Sequence, residues 1–379
     1  MSHHFMSSEK EERDRLKREE RLKKKRAQAT ASTTSGPLDS AGDYLDGFED
    51  SLGVFGDSRV ANGEAGQIFE YYSHQHSLSN SQDKVESRND VPLLRLHLAN
   101  VGGGAVNLMS HFVWNAALVM GEYIEAGTLV NVAGKRGNNH GGGAQFVCLT
   151  DYPDPAIVSN LERNWYENLV ETPEHWQSRI NNNNTESIST QEYQQTLVNR
   201  HSIEQRVRCA VRGHAWGESV QEMMELESGA EESGYDWVLL ADTLWVSEGH
   251  KALLKSCLAV LNKAPCIDDT LVRIGNEIKH DDGKKEYPSQ GRILVCCGLH
   301  TGYGAVQRFL ALARSPEFGL GTRLVEIKRA RQWGDERTEA EIRAENAALT
   351  EEDLEGFSVG DRNRTVLVYE LWAWIASRE

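Results

Sequence analysis

The chain has 379 residues, enough for one large domain or two ordinary ones, and a formal net charge of −16. Residues 9–26 hold ten Lys/Arg against six Asp/Glu, so the rest of the chain carries −20; such a body repels phosphate backbones, which excludes nucleic acid as a partner of the globular part. No run approaches the roughly 18 uncharged apolar residues of a membrane span, and the first residues lack the apolar core of a secretory leader, about 7 to 15 residues long, so neither secretion nor a membrane partner is expected.

Residues 1–60 are poor in large apolar groups outside the patch from Tyr44 to Phe55. Too little surface can be buried there to offset the ordering entropy, which predicts a disordered, charged arm ahead of a domain spanning 61–379. The run Lys23-Lys24-Lys25-Arg26 reads as a solvated charged arm, with a nuclear address as the other reading. A cytoplasmic monomer with possible nuclear access is the expectation. The six cysteines show no CxxC spacing and are spread along the chain, as reduced, mostly buried thiols would be.

From Glu64 onward the pattern becomes regular. Leu108, Phe112, Ala116 and Met120 recur at i+4 and predict an amphipathic helix that ends near Glu125-Ala126-Gly127. TLVNVA, residues 128–133, reads as a strand, followed by a glycine-rich loop and a second strand, QFVCLT, at 145–150. Asp154 can cap the next helix, Pro155 suits its first turn, and Ile157, Leu161, Trp165 and Leu169 form one face. Further strands are predicted at 206–211, 237–241, 292–299, 323–329 and 365–375, with helical patterns after WVLLA (237–241) and RILVCCGL (292–299). Alternation of this kind implies an α/β fold with a parallel sheet covered on both faces, and the final two strands are expected to pair antiparallel at one edge. The stretches 170–193, 276–290 and 333–364 read as inserted solvated loops, the last with a short exposed helix.

In open parallel sheets ligands bind beyond the carboxyl ends of the strands. The residues in that place are Asp151, the Gly213-His214-Ala215-Trp216-Gly217 turn, Asp242 to Trp245, and His300-Thr301-Gly302. An acid after the second strand can accept hydrogen bonds from two ribose hydroxyls, each worth roughly 1.5 to 3 kcal/mol because the acceptor is charged. No Ser/His/Asp or Cys/His arrangement suited to nucleophilic catalysis is evident, and no GxGxxG opens a helix after the first strand, which disfavours a nicotinamide-dinucleotide oxidoreductase.

HFVWNAALVM, LTDYPDP with NLERNW, GHAWGE, LLADTLWVSEGHKALLKS and CCGLHTG stand in one order, and in that order and spacing the chain resembles the fungal nicotinamide N-methyltransferase-like group of class I S-adenosylmethionine-dependent methyltransferases. The resemblance covers most of 90–330 and the terminal strand. It implies a seven-stranded Rossmann-like sheet, mostly parallel with an antiparallel final strand and helices on both faces. It implies S-adenosyl-L-methionine as cofactor, and a small amine or heterocycle such as nicotinamide, or a protein amine, as acceptor. Carried onto this sequence, Trp114 and Asn115 border the cofactor pocket, Asp151 holds the ribose, Tyr152 flanks the adenine, and Trp216 and Gly217 contact its other side. Ala241, Asp242 and Trp245 lie near the methionine end and the incoming nucleophile, with Asp242 and Trp245 as the catalytic candidates. His250 and the turn at 300–302 match the group without an evident role, and no metal is implied.

The glycine turn departs from the group. An acid followed by GxGxG is expected after the first strand, whereas Asn131, Ala133 and Lys135 occupy the acid and the first two glycine positions, and only Gly137 matches. Glycine matters there because the backbone must approach the ligand closely. Eleven residues, Gly134 to Ala144, join the two strands, and five are glycine; a parallel crossover usually needs a dozen or more, including a helix that such a composition opposes. Three readings follow: an altered coding segment, a fold that binds cofactor weakly, or a loop in which Gly134 and Gly137 wrap the methionine moiety by an unusual backbone.

Overall fold

The apolar runs of the second half of the chain become the centre of a four-stranded sheet. In the computed structural model, the described residues are 61–71, 94–100, 111–127, 129–130, 144, 146–170, 204, 208–226, 234–266, 280–281, 284–329 and 339–376. The expected arm at 1–60, the glycine positions Gly134 and Gly137, and the predicted loop at 171–193 lie outside them. The elements in chain order are β1 (Ala61–Asn62), β2 (Ile68–Tyr71), β3 (Leu94–His97), β4 (Val113–Trp114), α1 (Asn115–Ala126), β5 (Val147–Asp151), α2 (Pro155–Trp165), β6 (Cys209–Gly213), α3 (Gln221–Met224), β7 (Trp237–Ala241), α4 (His250–Val260), β8 (His280–Asp281), β9 (Lys284–Pro288), β10 (Arg292–Gly298), α5 (Tyr303–Arg314), β11 (Gly321–Arg329), α6 (Glu339–Ala348), α7 (Val359–Arg364), β12 (Thr365–Trp372) and β13 (Trp374–Ala376).

The four-stranded sheet runs β11-β12-β10-β7. β7 and β10 are parallel, with Trp237 opposite Arg292 and Ala241 opposite Cys296, while β12 is antiparallel to both β10 and β11. Because side chains alternate along a strand, Ile293, Val295 and Cys297 pack to one side and Leu294 and Cys296 to the other. The first side is covered by α4 and α5 through Leu253, Leu254, Val306 and Phe309; the second by α1 through Ala116, Val119 and Met120, with Val130 fully buried beside them. A separate parallel pair, β5 with β6, packs on α2 through Trp165, Cys209 and Val211. The fold is therefore mixed α/β, and among the described residues the strands form several sheets rather than one continuous sheet of seven.

The helix before the first predicted strand starts later than its stripe suggests. Val113 and Trp114 are extended and pair with Asn62 and Ala61, so α1 opens at Asn115, while its end at Gly127 is as expected, with that residue in the left-handed region and its amide bonded to Tyr123 O and Ile124 O. In α2, Asp154 caps the amides of Ala156 and Ile157 and Pro155 takes the first turn. Leu169 does not continue the buried face. The helix widens into a π turn over Tyr166–Val170, which rotates the following side chains, and Leu169 is left exposed.

Two stretches expected as loops contain regular structure. Within 276–290, β8 and β9 form a hairpin on which β13 pairs, Trp374 opposite Pro288. Within 333–364, α6 packs on β11: Ile342 is buried, Arg329 pairs with Glu345, and the Arg329 amide donates to Asn346 Oδ1. A capping box, Ser358 with Asp361, opens α7 directly before β12. All six cysteines are free, five buried and Cys148 half-buried; burial pushes the Cys209, Cys257 and Cys296 thiols up to about 12, beyond ordinary thiolate formation.

The edge of β3 is closed by side chains. Asn160 and Asn164 on α2 and Asn168 in the π turn after it recur at i+4 and face it. Asn164 accepts from His97 N (2.7 Å) and donates to His97 O (3.0 Å), as a neighbouring strand's peptide would. Asn168 repeats this at Arg95 (2.9 and 2.8 Å), and Asn160 donates to His97 O (2.8 Å). Open strand edges are templates for unwanted pairing, and this ladder satisfies the edge within the fold.

Candidate functional site

The expected site residues fall into two groups at strand carboxyl ends. One gathers where β7 and β10 end beside the start of α1. Asp242 follows β7 in a left-handed backbone conformation (φ +54°), held there by its amide's bond to Cys296 O (2.8 Å). Its carboxylate is buried; Oδ1 accepts from Gly298 N at 2.9 Å, and Oδ2 lies 3.9 Å from His300 Nε2. The His300 ring stacks on Trp114, with centroids 4.9 Å apart and planes 24° apart. Asn115, first in α1, accepts from Asn62 Nδ2 (3.1 Å) and donates to Asn363 O (3.3 Å), tying this helix start to α7. Ala241 ends β7 against the second core face, and Trp245 is half-buried in the turn beyond.

The second group lies where β5 and β6 end. Asp151 is the last residue of β5, opposite Gly213, and Tyr152 beside it is 52% exposed. Crowding by protein atoms around the Asp151 carboxylate raises its pKa above the ordinary value, although the residue as a whole is exposed; the bond from its neighbour's amide (Tyr152 N, 2.7 Å) acts the other way. The turn after β6 is fastened to α4 by a single hydroxyl. Ser256 Oγ meets His214 Nε2 at 2.9 Å and accepts from Gly217 N at 2.8 Å. Gly217 has φ +88° and a Cβ would meet Ala252 at 3.1 Å, so glycine is required on both counts. Trp216 packs on the first core face and over Gly249, which makes it in part a packing residue. Burial lowers the His214 pKa, with Glu218 opposing, and therefore favours the neutral ring.

Beside this turn opens a cleft of about 540 Å³, lined in part by Pro153, His214, Glu218, Glu222 and Met223. Gly213, His214 and Ala215 of the expected turn line it, but none of the residues expected to hold the cofactor or meet the acceptor does. Sequence reasoning missed Ser256, Gly298 and Asn363. Ser256 had a signal, being a hydroxyl on the buried face of α4 between Leu253 and Cys257; Asn363, and Gly298 in its bond to Asp242, act through contacts distant in sequence.

Acids and aromatics thus stand at the carboxyl ends of parallel strands, the place where ligands bind in open α/β sheets. Comparison with known proteins narrows the class. The chain is 24% identical to the protein N-terminal and lysine N-methyltransferase of Schizosaccharomyces pombe over 178 residues, 43% of this chain and 54% of the relative. Its counterparts in Yarrowia lipolytica and Debaryomyces hansenii are each 25% identical, over 41% and 48% of this chain and 53% and 63% of their own. The chain thus spans about half the length of the curated relatives it matches. No family model matches it. These similarities support a methyltransferase relationship, and the relatives are named for protein acceptors rather than for nicotinamide.

Proposed function

We propose that this protein is an S-adenosylmethionine-dependent N-methyltransferase acting on an amine of a protein. The observation that carries the reading is the pair of strand-end acids, Asp151 after β5 and Asp242 after β7, in a chain related to N-methyltransferases of protein acceptors. A small heterocycle such as nicotinamide is the narrower acceptor class that the sequence motifs suggested; the relatives' names favour protein amines.

The two sheet pieces fit one larger sheet. β7 is paired on one side by β10, and β5 on one side by β6. The chain between α1 and β5 begins with Leu129 and with Val130, already buried against α1 and β10. In this proposal the predicted strand at 128–133, of which only Leu129 and Val130 are among the described residues, is the neighbour of β5 and β7 in the expected sheet of seven.

The residues present fit the cofactor. Asp151 is exposed at the strand end where a ribose acceptor belongs, and the Thr243 hydroxyl, next to Asp242, is buried without a hydrogen-bond partner among the described residues. In this reading Asp151 holds the ribose, Tyr152 and Trp216 flank the adenine, where stacking contributes about 1 to 3 kcal/mol, and Gly217 lets the backbone approach. Trp114, Asn115 and Ala241 border the pocket, and Gly134 and Gly137 contact the methionine moiety. Asp242 and Trp245 meet the acceptor. When bound, S-adenosylmethionine supplies a methyl group on a sulfonium, open to direct displacement by an amine. The protein's task is to align the reactants and exclude water. A protein amine arrives protonated and only the neutral amine can attack, so that proton must also be taken up, for which Asp242 is the candidate base. A monomer in the cytoplasm, with nuclear access through the basic run at 23–26, completes the proposal.

The departure of residues 131–137 from acid-GxGxG favours a second reading, a catalytically silent relative that binds partners through its charged segments. Isothermal titration with S-adenosylmethionine decides between them. Saturable heat and a thermal shift are expected; neither at millimolar ligand removes the enzyme reading.

A further inference from the structure

His300 has no assigned part in methyl transfer, yet it is the most enclosed ring at the β7/β10 end. Its side chain is 4% exposed, between the Trp114 ring, stacked at 4.9 Å, and the Asp242 carboxylate, 3.9 Å from Nε2. The third wall is a missing side chain. A Cβ on Gly298 would stand 2.7 Å from His300 Nδ1 and 3.3 Å from Asp242 Oδ1, so a larger residue would displace the ring or the acid. The Gly298 amide also holds the other carboxylate oxygen at 2.9 Å. Asp242 is thereby gripped on both oxygens, by an amide on one and an imidazole facing the other. At 3.9 Å the imidazole stands beyond direct hydrogen-bond distance and faces the acid as a neighbouring polar wall.

Three elements far apart in sequence meet here: the start of α1, the end of β7 and the end of β10. A buried carboxylate needs partners to stay charged, and a carboxylate that is to meet a cationic amine needs a fixed direction as well. We propose that His300 is a positioning residue: clamped between Trp114 and Gly298, it fixes the Asp242 carboxylate in the orientation that receives the acceptor amine. This rests on the methyltransferase reading above. It assigns His300 no contact with either substrate, so it separates turnover from donor binding.

The test compares wild type, His300→Gln and His300→Ala. Donor affinity is measured by calorimetry with S-adenosylmethionine, and kcat and KM with labelled donor and synthetic peptides bearing a free α-amino group and an internal lysine. Thermal melts establish that each variant is folded. The donor Kd is expected to stay within about twofold in both variants, while kcat falls at least tenfold in His300→Ala and is partly restored in His300→Gln, whose amide can still face the acid. The role is overturned if His300→Ala keeps kcat within twofold, if donor binding falls in step with kcat, or if the two variants are equally impaired. A wild type that binds no donor overturns the enzyme reading and this role together. A wild type that binds donor and transfers nothing overturns the role alone.

Discussion

Replacing Asn164 by alanine isolates the side-chain ladder that closes β3. The substitution removes the acceptor for His97 N and one of two donors to His97 O, the other being Asn160 Nδ2. The amide, in a half-buried strand, then lacks its partner, which costs about 1 to 3 kcal/mol, while the shared carbonyl loses a bond worth about 1 kcal/mol at most because it keeps Asn160. The expected loss is therefore about 1.5 to 4 kcal/mol. Asn160→Ala serves as an internal control. It removes one donor to an oxygen that keeps another, and about 0.5 to 1 kcal/mol is expected. Urea unfolding followed by tryptophan fluorescence measures both, since Trp165 on α2 is buried against β6 through its bond to Cys209 O (3.1 Å). If Asn164→Ala lies within about 0.5 kcal/mol of wild type, or if the two variants cost the same, the ladder does not work as a substitute strand.

Asp151→Ala should weaken S-adenosylmethionine binding about 10- to 150-fold, equivalent to about 1.4 to 3 kcal/mol, with little change in melting temperature; calorimetry showing unchanged affinity counts against ribose binding. Glu370 is buried on β12 between Arg292 (Nε–Oε1 3.2 Å) and Arg323, so Glu370→Ala leaves the buried Arg292 without this carboxylate and should cost about 3 to 5 kcal/mol in chemical denaturation. Acid should destabilise the fold through Asp361, whose carboxyl is held at about 2 by hydrogen bonds from Ser358 and Arg364. A depressed folded-state pKa stabilises above the unfolded value, about 3.9, and that contribution disappears as pH falls toward 2. Melting temperatures across pH 5 to 2 should therefore fall less steeply in Asp361→Asn than in wild type. Glu167 adds to the same trend: burial raises its pKa, but hydrogen bonds from His97 and Arg163 outweigh it and leave the carboxyl below its ordinary value.

Much of the framework was legible where one physical signal dominated. WVLLA is five apolar residues before an acid, and β7 has those bounds; Asp154-Pro155 marks the start of α2 because a cap and a fixed φ act locally. Legibility failed where packing decided. The stripe through Leu108 and Phe112 suggested helix, but pairing of Val113 and Trp114 with β1 held them extended. A π turn, which leaves no mark in apolar spacing, carried Leu169 out of the core. Asn160, Asn164 and Asn168 carry no mark of their partner in the sequence, since nothing local says that a strand edge lies opposite. At the candidate site the places of Asp151 and Asp242 at strand ends could be read from the sequence. The means that hold them could not: Asn115 meets Asn363 across 248 positions and Gly298 meets Asp242 across 56.

β12 is the latest strand of its sheet in chain order and lies between two earlier ones, β10 and β11, with all eight of its residues buried. While the chain is being synthesised, β10 and β11 thus wait without their shared neighbour, and β10 can zip only to β7. The candidate site shares this schedule, because Asn115 is anchored by the residue two before β12 and Leu299, beside His300, donates to Thr365 O (3.2 Å). Any stall or cleavage before residue 365 leaves hydrophobic strands waiting and the candidate site without these anchors, which makes β12 the checkpoint for both.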